Sequence, residues 1–166
     1  VGCGVTAPRG NNNPRSSRPS MTPIAFLRGM KRYGAKGFDA YAHHPYYSSR
    51  FERPGTVPSS KKSVTLGNIG VMIKQINRLW GRKKRLWVTE YGYQTSPPDR
   101  HFGVRYATQA KYVHQAFAIA RRTRRIDMIV WFLIRDEHRL SGWQSGVISA
   151  RGARKPAYRA FAKMRR

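Results

Sequence analysis

The chain has 166 residues, 33 of them Lys or Arg against 7 Asp or Glu, for a formal net charge of +26. With 40% hydrophobic and 12% aromatic residues it can still build a core, which excludes wholesale disorder, and its length fits one domain spanning 1–166. The longest strongly apolar run, Met128 to Ile134, is far short of the roughly 20 residues that a membrane span needs, and the single cysteine, Cys3, excludes an intrachain disulfide and a cysteine-based zinc cage.

The first element, Val1 to Ala7, is a short β-branched and Gly-containing strand in which Cys3 is expected to be a small buried residue. It carries neither an initiator Met nor the basic, apolar and small-residue regions of a secretory leader, and the sequence assigns no compartment. Pro8 to Ser20, rich in Gly, Asn, Pro and Ser, reads as a loop. Thr22 and Pro23 then predict an N-cap and a first helical position, with Phe26, Leu27, Met30 and Tyr33 at helical spacing before Gly34. Phe38 to His44 predicts a strand that delivers His43, His44, Tyr46 and Tyr47 to its C-terminal end, followed by a polar loop, 48–63.

Ile69, Met72, Ile73, Ile76 and Leu79 trace one face of a second helix over Leu66 to Trp80. Arg85 to Thr89 is a strand ending in Glu90, Tyr91 and Gly92. Tyr106, Ala110, Val113, Phe117 and Ala120 define a third helix, whose C-terminal Arg121, Arg122, Arg124 and Arg125 suit the helix dipole. Ile126 to Ile134, apolar on both faces, predicts a strand buried in a parallel sheet. Gly142 to Gly152 predicts a turn-rich hairpin, and Pro156 to Met164 a last helix with Tyr158 and Phe161 facing inward.

Four strands alternating with helices predict an α/β fold of repeating βα units, with the long loops at the C-terminal ends of the strands, where parallel α/β folds place their sites. The charge is spread evenly along the chain. Residues 1–83 hold 15 basic and 2 acidic residues, and residues 84–166 hold 18 and 5. Arg outnumbers Lys 23 to 10, so salt-sensitive affinity for polyanions is expected, although a merely solvated basic surface would carry the same composition. No helix-turn-helix, zinc-finger, RNA-recognition or phosphate-loop signature is present.

Glu90 is the sharpest candidate for chemistry: a carboxylate in a strongly basic chain, at the end of the apolar strand Leu86-Trp87-Val88 and beside Tyr91 and Tyr93. Such a residue is a plausible nucleophile, and equally a salt-bridged strand-end glutamate. Asp136 and Glu137 are expected to pair with Arg135 or Arg139. His43 and His44 are adjacent on a strand and face opposite ways, which disfavours a two-histidine metal site.

The segments Trp87-Val-Thr-Glu90-Tyr-Gly-Tyr-Gln-Thr95, Phe38-Asp-Ala-Tyr-Ala-His-His44-Pro-Tyr46, Trp131-Phe-Leu-Ile-Arg-Asp136, Gly142-Trp-Gln-Ser-Gly146 and Lys155-Pro-Ala-Tyr-Arg-Ala-Phe161 together resemble the second half, strands five to eight, of a TIM-barrel glycoside hydrolase. The likeness is to the superfamily, cellulase-like and xylosidase-like families included, whose two catalytic glutamates end strands four and seven. It implies a half-barrel of four βα units and hydrolysis of O-glycosyl bonds in a polysaccharide or oligosaccharide, with no cofactor. Glu90 matches the strand-seven nucleophile, which in a retaining enzyme works with a second carboxyl about 5–5.5 Å away. His44 and Tyr46 match residues that line that site, Trp131 matches the strand-eight tryptophan that floors the sugar, and Tyr91, Tyr93 and Trp143 could extend the apolar platform.

One departure stands out: the superfamily's acid/base glutamate follows an Asn, and the chain has no Asn-Glu pair. Three readings stay open at this point, namely an absent first half, a half-barrel that pairs with another chain or with itself, and a fold that has lost catalysis. A different class of function also stays open: a non-catalytic basic module that binds acidic glycans or nucleic acid.

Overall fold

The computed structural model describes residues 1–164. Four strands, β1 (Gly2–Thr6), β2 (Ala40–His43), β3 (Arg85–Tyr91) and β4 (Ile126–Trp131), form one parallel sheet in the order β1-β2-β3-β4. Helices α1 (Pro23–Arg32), α2 (Gly70–Trp80) and α3 (Tyr106–Arg122) make the crossovers, and α4 (Pro156–Ala162) follows the last strand. The predicted α/β alternation is therefore present. Parallel strands need such crossovers because a tight hairpin can join only antiparallel neighbours.

The helix entries follow their sequence signals. Thr22 is extended and its hydroxyl accepts the Ala25 N–H, with Pro23 at the first helical position. The second helix splits, because Leu66–Asn68 is a short 3-10 turn and α2 proper starts at Gly70. One face of the sheet packs on the helices through Leu27, Tyr41, Met72, Ile76 and Leu86 on one side and Val88, Tyr91, Val113, Ala116 and Trp131 on the other.

The last strand departs from expectation. β4 ends at Trp131 and lies at the sheet edge, and while Ile129 and Trp131 pack into the core, Met128 and Val130 on its other face are 36% and 39% exposed. Val5 of the opposite edge strand is 60% exposed. The apolar character on both faces of β4 thus reflects a core face plus an uncovered one. Three smaller readings are also corrected. Cys3 is only half-buried, Phe161 is 39% exposed because Ala157 and Ala160 carry the inward face of α4, and Tyr33 is 85% exposed beyond the end of α1. The hairpin predicted over 142–152 is reduced to a tight antiparallel turn, with Ile148 bridging Arg154. No helix of the described residues is long and apolar enough to cross a membrane.

Candidate active site

The sheet delivers its side chains by strand alternation, and one irregularity changes which face Glu90 serves. Val88 pairs with Ile129 and Tyr91 with Trp131, so three steps on β3 match two on β4: a β-bulge at Thr89 and Glu90. Val88 and Tyr91 both point into the helical core. The extra residue turns Thr89 and Glu90 together to the opposite face, as bulges beside functional sites often do. Glu90 therefore lies within the strand rather than beyond its end, and regular alternation would have placed it with Leu86 and Val88.

Two neighbours fix the carboxylate, and both use the same oxygen. The Tyr46 hydroxyl donates to Glu90 Oε2 at 3.2 Å, and His44 Nδ1 lies 3.3 Å from that atom. His44 Nε2 meets the Thr89 hydroxyl at 2.9 Å. Nδ1 faces the carboxylate, and the ring's hydrogen bond runs through Nε2 to the Thr89 hydroxyl, where either partner can donate. Burial holds the His44 pKa below the ordinary histidine value against the opposing pull of Glu90, which keeps the ring neutral near pH 7. Tyr46 is pushed well above the ordinary phenol range, first by burial and then by the Glu90 charge, so it stays a donor. Among the described residues Glu90 Oε1 accepts no hydrogen bond, and the side chain is 31% exposed.

An aromatic wall flanks the carboxylate. Tyr46 lies between Tyr91, stacked at 6.1 Å, and Trp143, stacked at 5.6 Å, and Trp143 meets the edge of Phe132 at 5.5 Å. Trp143 is 40% exposed and offers a ring face. The structure separates the predicted platform residues. Trp131 is buried in the helical core with its indole N–H donating to Ser145 O at 3.0 Å, and Tyr91 and Tyr93 are buried too, joined by a hydroxyl contact of 3.2 Å. Trp131 and Tyr91 therefore back the wall instead of facing the site. Phe132, one step beyond Trp131, takes the open face. Its signal in the chain is the alternation of Met128, Val130 and Phe132, which the more conspicuous Trp131 masks.

The loop that carries Trp143 is pinned from inside. Gln144 is buried and its amide donates to the carbonyls of Glu137 and Arg139 at 3.2 and 2.9 Å, while its own carbonyl accepts Thr95 N–H at 3.1 Å. Asp136 accepts Gly146 N–H at 2.8 Å and pairs with Lys155 at 2.7 Å, with both side chains only 2% exposed. That ion pair replaces the expected partners Arg135 and Arg139, and it commits the Asp136 carboxylate away from Glu90. From α3, Gln109 binds Tyr93 O at 2.9 Å and Ser145 O at 3.1 Å, tying two loops of the site together. Gly92 has no room for a side chain, because a Cβ there would collide with the Phe132 carbonyl oxygen.

The two histidines diverge as strand alternation requires. His43 is fully buried, with Nδ1 at 2.8 Å from the Thr6 hydroxyl and Nε2 at 2.9 Å from Val64 O. The carbonyl can only accept, so Nε2 carries the proton and Thr6 donates to Nδ1. Burial lowers the His43 pKa to about 4.

The chain matches no protein-family model and no curated protein sequence. Its fold is similar to solved glycoside hydrolases at low identity. A family 39 glycoside hydrolase from the gut symbiont Bacteroides cellulosilyticus WH2 superposes with a TM-score of 0.59 at 19% identity, over 82% of this chain and 29% of that one. A GH128 subgroup I endo-β-1,3-glucanase from Amycolatopsis mediterranei gives 0.58 at 17%, over 98% and 57%. A GH2 β-galacturonidase from Eisenbergiella tayi gives 0.54 at 12%, over 74% and 22%. At these identities the likeness shows the fold, and the chain spans between about a fifth and three fifths of the length of these structures.

Proposed function

We propose that the chain is the nucleophile-bearing half of a retaining glycoside hydrolase, its sheet being four consecutive strands of a barrel that a further set of βα units completes. The observation that carries this reading is the bulge that aims Glu90 onto the open face, with Tyr46 and His44 both on Oε2. With one oxygen held, Oε1 is free to attack an anomeric carbon while the leaving oxygen takes a proton from a second carboxyl, and water then releases the glycosyl ester. Trp143 and Phe132 supply apolar rings against which a sugar face can lie. The exposed Val5, Met128 and Val130, together with the open parallel edges of β1 and β4, support completion by further strands, since such edges and faces seek partners.

A second reading rests on one observation: among the described residues no other carboxylate contacts Glu90, and Asp136 is committed to Lys155. On that reading the aromatic face binds sugar without cleaving it. A panel of aryl glycosides and oligosaccharides, read by turnover and by the sugar-dependent change in tryptophan fluorescence that Trp143→Phe removes, separates the two. Turnover lost in Glu90→Gln with sugar binding retained supports hydrolysis. Sugar-dependent fluorescence without turnover supports the binding module, and turnover unchanged in Glu90→Gln removes Glu90 from the mechanism.

A further inference from the structure

Basic residues are even along the sequence, but the fold sorts the acids. The strands run parallel and the helices return between them, so strand starts and helix ends share one pole, and strand ends share the other with Glu90. Five of the seven acids, Glu52, Glu90, Asp99, Asp136 and Glu137, lie toward the Glu90 pole. The other two, Asp39 and Asp127, lie at the opposite pole, and Asp127 is already paired with Arg85 at 2.7 Å.

At this second pole two cationic turns are bound side by side. Residues 81–85, after α2, read Gly-Arg-Lys-Lys-Arg, and residues 121–125, at the end of α3, read Arg-Arg-Thr-Arg-Arg. Leu86 N–H donates to Arg125 O at 3.0 Å, and Arg85 Nη2 donates to Arg124 O at 2.6 Å. Arg125 in turn donates to Asn77 Oδ1 at 2.9 Å and to the carbonyls of Arg82 and Lys84. These contacts leave Arg78, Arg82, Lys83, Arg121, Arg122 and Arg124 exposed around one surface. Burial and the adjoining Arg85 and Arg82 charges hold Arg125 below the ordinary arginine value. A helix C-terminus welcomes a cation, but like charges packed this densely repel one another, and the dipole accounts for only part of the cluster.

We propose that this pole binds nucleic acid through its phosphate backbone, independently of base sequence. Arginine forks predominate, and they match the paired oxygens of a phosphodiester. Residues 81–85 and 121–125 contain no aromatic or apolar residue. The two turns themselves therefore supply neither the ring platform a sugar chain would use nor the apolar anchor an interfacial membrane site would use. The rings at this pole are Trp80, which packs edge-on against Phe38 and donates to Ala35 O, and the exposed Tyr33 after α1, and on the turns charge does the recognition. Arg85 and Glu90 are five residues apart on one strand, about 17 Å, so this site is separate from the carbohydrate site and does not depend on it.

The test is fluorescence anisotropy with a fluorescein-labelled 24-base-pair DNA duplex of arbitrary sequence, titrated across a salt series. Wild type is compared with Arg121→Gln/Arg122→Gln/Arg124→Gln and with the control Arg15→Gln/Arg18→Gln/Lys61→Gln. The control removes equal charge from exposed positions on loops that follow β1 and β2. The arginine-turn variant is expected to bind about tenfold or more weakly, with a salt slope shallower by roughly 2–3, while the control changes little. Circular dichroism and thermal melting confirm that both variants are folded. Equal losses in the two variants, no loss in the first, or displacement of the duplex by polygalacturonate or anionic vesicles at matched charge would each overturn the proposal.

Discussion

Glu90 and His44 meet through Oε2 and Nδ1 at 3.3 Å, and the other nitrogen of the ring is held by Thr89, the residue next to Glu90 on the same strand. The bulge makes this possible by turning two consecutive residues of β3 to one face. The histidine then locks the pair, with Tyr46 completing the hold on the carboxylate.

Tyr46 has two roles, stacking in the wall and donating to Glu90, and Tyr46→Phe separates them. The stack with Trp143 is retained and the donor is lost. Hydrogen bonds to charged groups are worth about 1.5–3 kcal/mol, so covalent labelling of Glu90 by a fluoro-sugar should slow about tenfold or more with little change in sugar affinity. An unchanged labelling rate would leave Tyr46 as packing only.

The Lys155–Asp136 pair should dominate the stability of the loop under Trp143. Lys155→Met leaves a buried carboxylate without its cation and should cost about 3–5 kcal/mol, only part of it recovered in Asp136→Leu/Lys155→Met, where the buried Gly146 N–H loses its acceptor. Urea unfolding followed by intrinsic tryptophan fluorescence and circular dichroism reads both variants. A loss under 1 kcal/mol in the single variant would contradict the buried pair.

His43 sets a pH dependence whose sign is fixed. Its folded pKa, about 4, is below the unfolded value near 6.5, so the unfolded chain binds more protons between these values. The contribution of the neutral ring is full above pH 6.5 and is lost as pH falls toward 4, by at most about 3 kcal/mol. Urea midpoints from pH 7.5 to 4 should fall along this range, and His43→Gln should flatten the fall. Equal slopes in wild type and variant would assign the loss to other groups.

Met128 and Val130 should drive self-association when the chain is alone. Met128→Lys/Val130→Lys charges the uncovered face of β4 and touches no core contact, so sedimentation should shift toward monomer with stability changed by about 0.5 kcal/mol or less. A wild-type chain that already sediments as a monodisperse monomer would contradict the uncovered face as an interface.

Element order and helix entries were legible because they rest on local rules: Thr22-Pro23 at a helix start, 3.6-residue periodicity in α2 and α3, and apolar runs between Gly- and Pro-rich loops. Glu90 near the C-terminal end of β3, and His44, Tyr46 and Trp143 in the segments beside it, could be picked out as candidates by residue type and position. The facing of side chains was harder to read. A period-two reading of β3 groups Glu90 with Leu86 and Val88, and only pairing against β4 exposes the bulge that reverses it. For the same reason Trp131, the more conspicuous ring, is core, whereas Phe132 faces the site. The partner of Asp136 is Lys155, 19 residues away, and no spacing rule links them.

The central claim is that Glu90 is a nucleophile poised in a sugar site, and the most direct test is covalent capture. The folded protein is incubated with gluco, xylo, manno and galacto 2-deoxy-2-fluoro glycosides, followed by intact-mass and peptide mass spectrometry. The account predicts one glycosyl adduct, on Glu90 and absent from Glu90→Gln. No adduct with any reagent, with the chain supplied alone and with a complementary barrel half, would contradict it.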